Sequence, residues 1–281
     1  MKVAFLDIDG TLTSEVDGSI PESTREAIHR ARTLGHKMFI NTGRCFQNVE
    51  PRFREVGWDG YVCGCGTDIY AEGQNILYQP MTREITKQIL EIARKTDVDI
   101  VFESRKEVNF DPDHTLHHPD AIAQYEKFLD RGYHMRDTLD TPNFFADKFC
   151  IWYENEEQLW NFRLVSDPLF EFIDRGNHFA EFVPYGYSKA TGIYRVLDYY
   201  GLSIADAYAF GDSRNDISML VAVPGSVAMG NAEPEELKDM VSYVTTKASE
   251  DGIAKAFEAL GFFKEASPKD YRDFTKVGMK N

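Results

Sequence analysis

Nowhere in the 281 residues does an apolar run approach the roughly 18 to 20 residues that a membrane-spanning helix needs, so a bilayer-embedded chain is not expected. The opening stretch, Met1-Lys2-Val3-Ala4-Phe5-Leu6, meets Asp7 and Asp9 before a signal-peptide core could form, which points to a cytoplasmic location. Cysteine is scarce too. Cys63-Gly64-Cys65 lacks the spacing and the partner pair of a zinc site, and a cytoplasmic chain keeps its thiols reduced. Cys45, Cys63, Cys65 and Cys150 are therefore read as buried free thiols. Basic residues are outnumbered, 31 against 46 acidic ones, and the net charge of −15 opposes binding to a phosphate backbone. Nucleic acid is accordingly not an expected partner. With no low-complexity tract or internal repeat, the chain reads as a folded protein of one large domain or, preferably, two modest ones.

What is present begins with Val3 to Leu6, a short continuous apolar run of the kind buried on both faces of a parallel sheet. A helix is predicted next: Pro21 suits its first position, Ala27, Ile28, Ala31 and Leu34 recur at helical spacing, and Gly35 can end it. Lys37 to Ile40 forms a second apolar run ending in Asn41-Thr42-Gly43-Arg44, which completes a βαβ unit. A third, Ala207 to Phe210, ends in Gly211-Asp212 and follows a helical stretch from Ser188 to Tyr200. Ligands of open parallel sheets bind beyond the carboxyl ends of the strands, where each of these polar clusters falls, so clusters distant in sequence are expected to share one crevice. The middle mixes helical stretches (Ile85 to Ala93, Ala121 to Leu129) with strand-like ones (Ile100 to Phe102, Phe149 to Tyr153, His178 to Val183). The predicted architecture is an α/β core with a Rossmann-like parallel sheet and helices on both faces, formed by residues 1–82 and 185–281, and an inserted α+β domain over 83–184. Between Pro112 and Pro119, His114, His117 and His118 read as an exposed loop in preference to a metal site.

Asp7-Ile8-Asp9-Gly10-Thr11 places two carboxylates at i and i+2 just past a buried strand, on the same side if strand geometry continues. Two carboxylates about 4 Å apart repel by roughly 4 kcal/mol at an effective dielectric near 20, so a cation or a shifted proton is expected between them. A solvated turn is the alternative, since Asp-x-Asp-Gly also occurs in calcium loops and hairpins. Gly211-Asp212-Ser213-Arg214-Asn215-Asp216 adds further hard oxygen donors, which together suit Mg²⁺. Thr42 and Gly43 can offer a hydroxyl and a backbone N–H to phosphate, and Lys189 can neutralise it as a compact point charge.

These segments resemble the haloacid dehalogenase superfamily of phosphotransferases, specifically its Cof-type phosphatases. Asp7 to Leu12 is similar to the first family motif, Asn41 to Arg44 to the second, Ser188-Lys189 to the third and Gly211 to Leu220 to the fourth. Val227 to Ala232 and Glu250 to Ala254 resemble downstream segments of that branch, while Ala190 and Asn41 depart from its usual glycine and alanine. The resemblance implies a Mg²⁺-dependent phosphatase acting through an aspartyl-phosphate on a small phosphorylated metabolite, a sugar phosphate by preference, with the insertion as a cap. It also implies roles: Asp7 as nucleophile and metal ligand; Asp9 as general acid and base with its backbone carbonyl on the metal; Asp212 as direct metal ligand and Asp216 beside it. Ile8, Thr42, Gly43, Lys189 and Asn215 are implied as the phosphate-holding set. A phosphomutase of the same superfamily remains open on these motifs. Arg44, Lys148 and Glu181 are candidate specificity residues, and the sequence sets no oligomeric state.

Overall fold

The computed structural model describes residues 1–133, 135 and 146–266. In chain order its strands are β1 (Val3–Leu6), β2 (Lys37–Asn41), β3 (Gly60–Cys63), β4 (Asp68–Ala71) and β5 (Gln74–Tyr78). The middle of the chain supplies β6 (Asp99–Glu103), β7 (Val108–Phe110), β8 (Lys148–Trp152), β9 (Phe170–Gly176) and β10 (Phe179–Pro184). Then follow β11 (Ala207–Gly211), β12 (Gly225–Ala228) and β13 (Tyr243–Val244). Contacts divide the chain into two units, the first built from Met1–Gly43, Glu50–Ile76 and the chain from Ser188 onward, the second from Arg44–Val49 and Leu77–Tyr187. Among the described residues, no helix is long and apolar enough to cross a membrane.

The first unit holds an eight-stranded sheet in the order β13-β12-β11-β1-β2-β3-β4-β5. β1 lies at its centre, parallel to both β2 and β11, and all of its residues are buried, which is why its sequence is a continuous apolar run and not an alternating one. From β1 the chain winds outward through β2 and β3, then restarts at β11 and winds the other way through β12 and β13. Right-handed crossovers running in opposite directions place their helices on opposite faces. Accordingly, the helix Glu22–Thr33 packs with Gly252–Ala259, and Lys189–Tyr200 packs with Ile217–Ala222. The reversal makes the β1/β11 boundary the topological switch point, where a crevice opens beyond the strand ends. Pro21 falls one position before the helix that follows it: its ψ of 141° is extended, and its carbonyl accepts the N–H groups of Thr24 and Arg25.

The second unit carries a five-stranded sheet, β7-β6-β8-β10-β9, antiparallel at every pairing. Alternation sorts its side chains onto two faces. Phe102, Phe149, Ile151, Ala180 and Phe182 face Ile89, Leu90, Ala93, Leu159 and Phe162 of the helices Arg83–Thr96 and Glu156–Ser166. The other face sets Val101, Phe110, Cys150 and Trp152 against Ala121 and Phe128 of the helix Pro119–Asp130.

In the first unit, the start of the helix Lys189–Tyr200 is set by its own sequence. Ser188 caps it: the Ser188 hydroxyl accepts the Thr191 N–H at 3.1 Å, while the Thr191 hydroxyl accepts the Ser188 N–H at 2.8 Å. The reciprocal pair fixes the first turn and hence the root of Lys189. Ser188→Ala is expected to cost about 1 kcal/mol, and Ser188→Gly only a few tenths. Urea unfolding of both variants checks this; equal losses would mean that capping is not what Ser188 contributes.

Candidate active site

The register aligns Leu6 with both Ile40 and Phe210, so the residues that follow each strand emerge at one edge of the sheet. Asp7 is the first residue past β1, its N–H donating to the Phe210 carbonyl at 3.1 Å and its side chain buried. Strand geometry does not continue to Asp9. The segment coils, with Leu12 N–H on the Asp7 carbonyl and Thr13 N–H on that of Ile8, so Asp7 is buried while Asp9 is exposed. Gly10 turns the loop at a φ of +79°, and a Cβ there would collide with the Asp212 carboxylate. Two side chains hold the loop in that position: the Thr11 hydroxyl donates to Asp212 Oδ1 at 2.7 Å, and Asn231 Nδ2 donates to the Gly10 carbonyl at 2.7 Å.

At the centre stands the Lys189 ammonium, 2.6 Å from Asp7 Oδ1 and 2.6 Å from Asp216 Oδ1, with no exposed side-chain surface. The other Asp216 oxygen accepts the backbone N–H groups of Asp212 and Ser213, each at 3.0 Å. Oxygens of Asp7, Asp212 and Asp216 come within 4.8 Å of one another; Asp9 is not a member of that group. Burial, offset in part by Lys189 and reinforced by Asp216 and Asp9, pushes the Asp7 carboxyl up to about 7. Burial together with Asp216 and Asp7 pushes Asp212 up to about 8. Lys189 moves the other way from what burial alone would do, because Asp216 and Asp7 hold its proton above the usual lysine range. Hard oxygen donors with more negative charge than one ammonium offsets, and with ionised forms this costly, fit a small divalent cation such as Mg²⁺.

Thr42 is the first residue past β2, at the sheet edge from which Asp7 emerges. It is buried, its N–H on the Val62 carbonyl at 2.9 Å and its own carbonyl accepting the Cys65 N–H at 3.1 Å; Gly43 follows, also buried. Asn215 is buried immediately before Asp216, its Oδ1 accepting the Ser213 hydroxyl at 2.7 Å. The first unit thus brings together Asp7, Lys189, Asp212 and Asp216, with Ile8, Asp9, Thr42, Gly43 and Asn215 on the connecting loops.

Arg44, Lys148 and Glu181 belong to the second unit. Arg44 donates from Nη1 to the Asn48 carbonyl at 3.1 Å. Lys148 and Glu181 are buried partners at 2.7 Å, with Glu103 at 3.3 Å from the lysine and Arg175 at 3.2 Å from Glu181. Against the effect of burial, Cys150, Glu103 and Glu181 hold Lys148 well above the normal lysine range, while burial pushes the Cys150 thiol up to about 12.

Several positioning residues were not singled out by sequence reasoning. Thr11 and Asn231 lie inside recognisable segments, but nothing in the sequence says which way their side chains turn. Asn41, visible only as a departure from the usual alanine, donates from Nδ2 to the Lys189 carbonyl at 3.0 Å and so pins the strand end to the helix start.

A sequence profile described as haloacid dehalogenase-like hydrolase matches residues 4–257. The chain is 32% identical over 267 residues to YkrA of Bacillus subtilis (strain 168), covering 94% of this chain and 99% of that protein. It is 27% identical over 263 residues to the 5-amino-6-(5-phospho-D-ribitylamino)uracil phosphatase YitU of the same organism, covering 89% and 94% of the two chains. Among solved structures, the subclass IIB sugar phosphatase BT4131 superposes with a TM-score of 0.78 at 29% identity, over 93% of this chain and all of the other (100%). With the four motif segments converging at one sheet edge and the match spanning nearly the whole length, the chain belongs to the haloacid dehalogenase-like hydrolase family.

Proposed function

We propose that this phosphoric monoester hydrolase removes the phosphoryl group from a small phosphorylated metabolite, a sugar phosphate by preference, through a covalent intermediate on Asp7. The observation that carries the reading is the Asp7 carboxylate: it is buried at the switch point, held at 2.6 Å by Lys189 and grouped with Asp212 and Asp216. Support for the substrate class comes from the similarity to a sugar phosphatase and to a phosphatase of a phosphorylated ribityl compound.

The chain's own groups divide the work. Lys189 orients the Asp7 carboxylate for attack on phosphorus and offsets charge on the transferring group. Thr42, Gly43, Asn215 and the backbone of Ile8 hold the phosphate oxygens. Asp9, exposed on the loop and so able to exchange protons with solvent, protonates the leaving oxygen and then takes the proton of the attacking water. Asp7, Asp212 and Asp216, with the Asp9 carbonyl, would hold Mg²⁺, which when bound supplies charge compensation at the phosphoryl oxygens. Arg44, Lys148 and Glu181 are assigned to selectivity for the rest of the substrate; the paired Lys148 and Glu181 do this by fixing the charge and shape of the sheet face that carries them.

Loss of a clustered carboxylate should show first in the metal requirement. Asp212→Asn is expected to raise the Mg²⁺ concentration for half-maximal activity at least about tenfold, the range seen when even outer-sphere partners of a metal are removed. Phosphate release measured over a magnesium series checks it; an unchanged curve, or full wild-type activity in excess chelator, is incompatible with the proposed ligand set.

Asp7 and Asp9 are distinguished by their half-reactions. Asp7→Asn is expected to abolish turnover and the hydroxylamine-sensitive phosphate on the protein, since an amide is a poor nucleophile. Asp9→Asn should lose about 10²- to 10⁴-fold with an alkyl phosphate, roughly 3 to 5 kcal/mol of barrier. An aryl phosphate, whose leaving group needs little protonation, should still phosphorylate Asp7 in that variant and then stall, giving a burst followed by a low steady rate. Quenched-flow with labelled phosphate checks this. A burst surviving in Asp7→Asn, or label on Asp9, contradicts the assignment, and transfer of the label to a sugar in preference to water would make the enzyme a mutase.

A further inference from the structure

The loop between β7 and the helix Pro119–Asp130 is held far more tightly than an exposed connection requires. Arg94 grips it with two 2.6 Å bonds to Asp111 and one of 2.8 Å to Asp113. Asp99, 2% exposed at the start of β6, accepts the His117 N–H at 3.0 Å and the His118 N–H at 2.7 Å. The same carboxylate lies 2.8 Å from His114 Nε2. An imidazole whose Nε2–H donates to a carboxylate carries its lone pair on Nδ1, which is the arrangement that readies a histidine to bind a metal.

That Nδ1 points to a second histidine and a carboxylate. His114 Nδ1 is 3.9 Å from Asp97 Oδ1, and His117 Nε2 is 3.9 Å from the same oxygen. The donor atoms contributed by Asp97, His114 and His117 all fall within 4.8 Å of one another, with both His–Asp97 pairs beyond hydrogen-bond reach. A tetrahedral ion bound at about 2.0–2.1 Å would space its ligands at about 3.3 Å, so each His–Asp97 pair must close by roughly 0.6 Å and the two imidazoles must draw in from within 4.8 Å of each other. The side chains that must move, His117 and Asp97, are 47% and 68% exposed, whereas His114, at 11%, is the fixed one. His118 is not part of the set, because its Nδ1 accepts the Asp120 N–H at the helix start.

We propose that Asp97, His114 and His117 form a second metal site, within the inserted unit, for a borderline divalent transition ion of the zinc class. Two imidazole nitrogens select against Mg²⁺, which takes oxygen, so this site and the all-oxygen cluster of Asp7, Asp212 and Asp216 take different ions. Bound there, the ion ties Asp97, the left-handed residue that ends the helix Arg83–Thr96, to the 111–118 loop, and leaves an outward coordination position for water.

The test is isothermal titration of untagged full-length protein with zinc chloride in millimolar Mg²⁺, which keeps the oxygen cluster occupied. One equivalent of Zn²⁺ should bind, at least tenfold more weakly in His117→Ala and in Asp97→Asn, neither of which removes a buried group. Anomalous diffraction at the zinc edge should place the ion between the three side chains. Absence of stoichiometric uptake, uptake equally strong in both variants, or an anomalous peak elsewhere would overturn the site.

Discussion

A single buried ammonium between two buried carboxylates is the contact on which the first unit depends. Lys189 touches Asp7 after β1 and Asp216 after β11, joining chain segments 182 and 27 residues away from it. Leaving these carboxylates buried and ionised without their counter-charge would be strongly destabilising, so the arrangement of the two strand ends is favoured by the helix Lys189–Tyr200 starting where it does. Three features fix that start: the reciprocal Ser188–Thr191 cap, the Asn41 amide on the Lys189 carbonyl, and Gly66, where a Cβ would collide with the Ser188 carbonyl. The inserted segment therefore interrupts the chain just before a residue whose position is determined by the core and not by the insertion.

Parallel pairing does the remaining positioning. Because β1 aligns with β2 and β11 residue for residue, a short polar segment after each strand is sufficient to gather the cluster, and the loops need only avoid one another. Gly10 and Gly211 provide that clearance: a Cβ at the first would strike Asp212, and at the second would lie 2.5 Å from Asp216 Cβ. Neither glycine carries chemistry. Gly10 lets the Asp212 carboxylate come close to the loop after β1, and Gly211 lets the Asp216 side chain fold back against the start of its own loop.

The same physics decides how much of the fold and the site was legible in the sequence. β1, β2 and β11 could be read because strands buried on both faces must be continuously apolar, and their polar ends because function there overrides burial. The antiparallel extension by β4 and β5 was not visible: β5, Gln74–Tyr78, carries its residues half-buried or exposed and has no clear period. The helix Glu156–Ser166 was equally hidden, since its apolar positions include the exposed Trp160 and Leu164 alongside the buried Leu159 and Phe162. At the site, the charged residues announced themselves by type and spacing. Thr11, Asn41 and Asn231 did not, because an uncharged side chain that bonds a backbone carbonyl or a carboxylate far away in sequence leaves no local pattern. Asp9 was placed beside Asp7 by strand periodicity, and the coil that begins at Ile8 separates them into a buried and an exposed member.

The two units also solve the problem of buried charge in opposite ways, and the contrast indicates which one is built for chemistry. On the inserted sheet, Lys148 and Arg175 meet Glu103 and Glu181, two cations against two anions, and the set is neutral with every member ionised. These four groups compensate one another within the inserted unit. At the β1/β11 switch point, Asp7, Asp212 and Asp216 gather around Lys189, and among these four groups an excess of two negative charges remains if all are ionised. Protons can remove that excess, which is why the carboxyls of Asp7 and Asp212 are pushed up to about 7 and 8, or a dication can. A dication would leave all three carboxylates ionised, as the nucleophile proposed at Asp7 requires. Under the proposed function this imbalance is what carboxylate catalysis would need: a site neutralised by its own side chains would be more stable, and would have no place for the positive charge that a phosphoryl group needs when it moves.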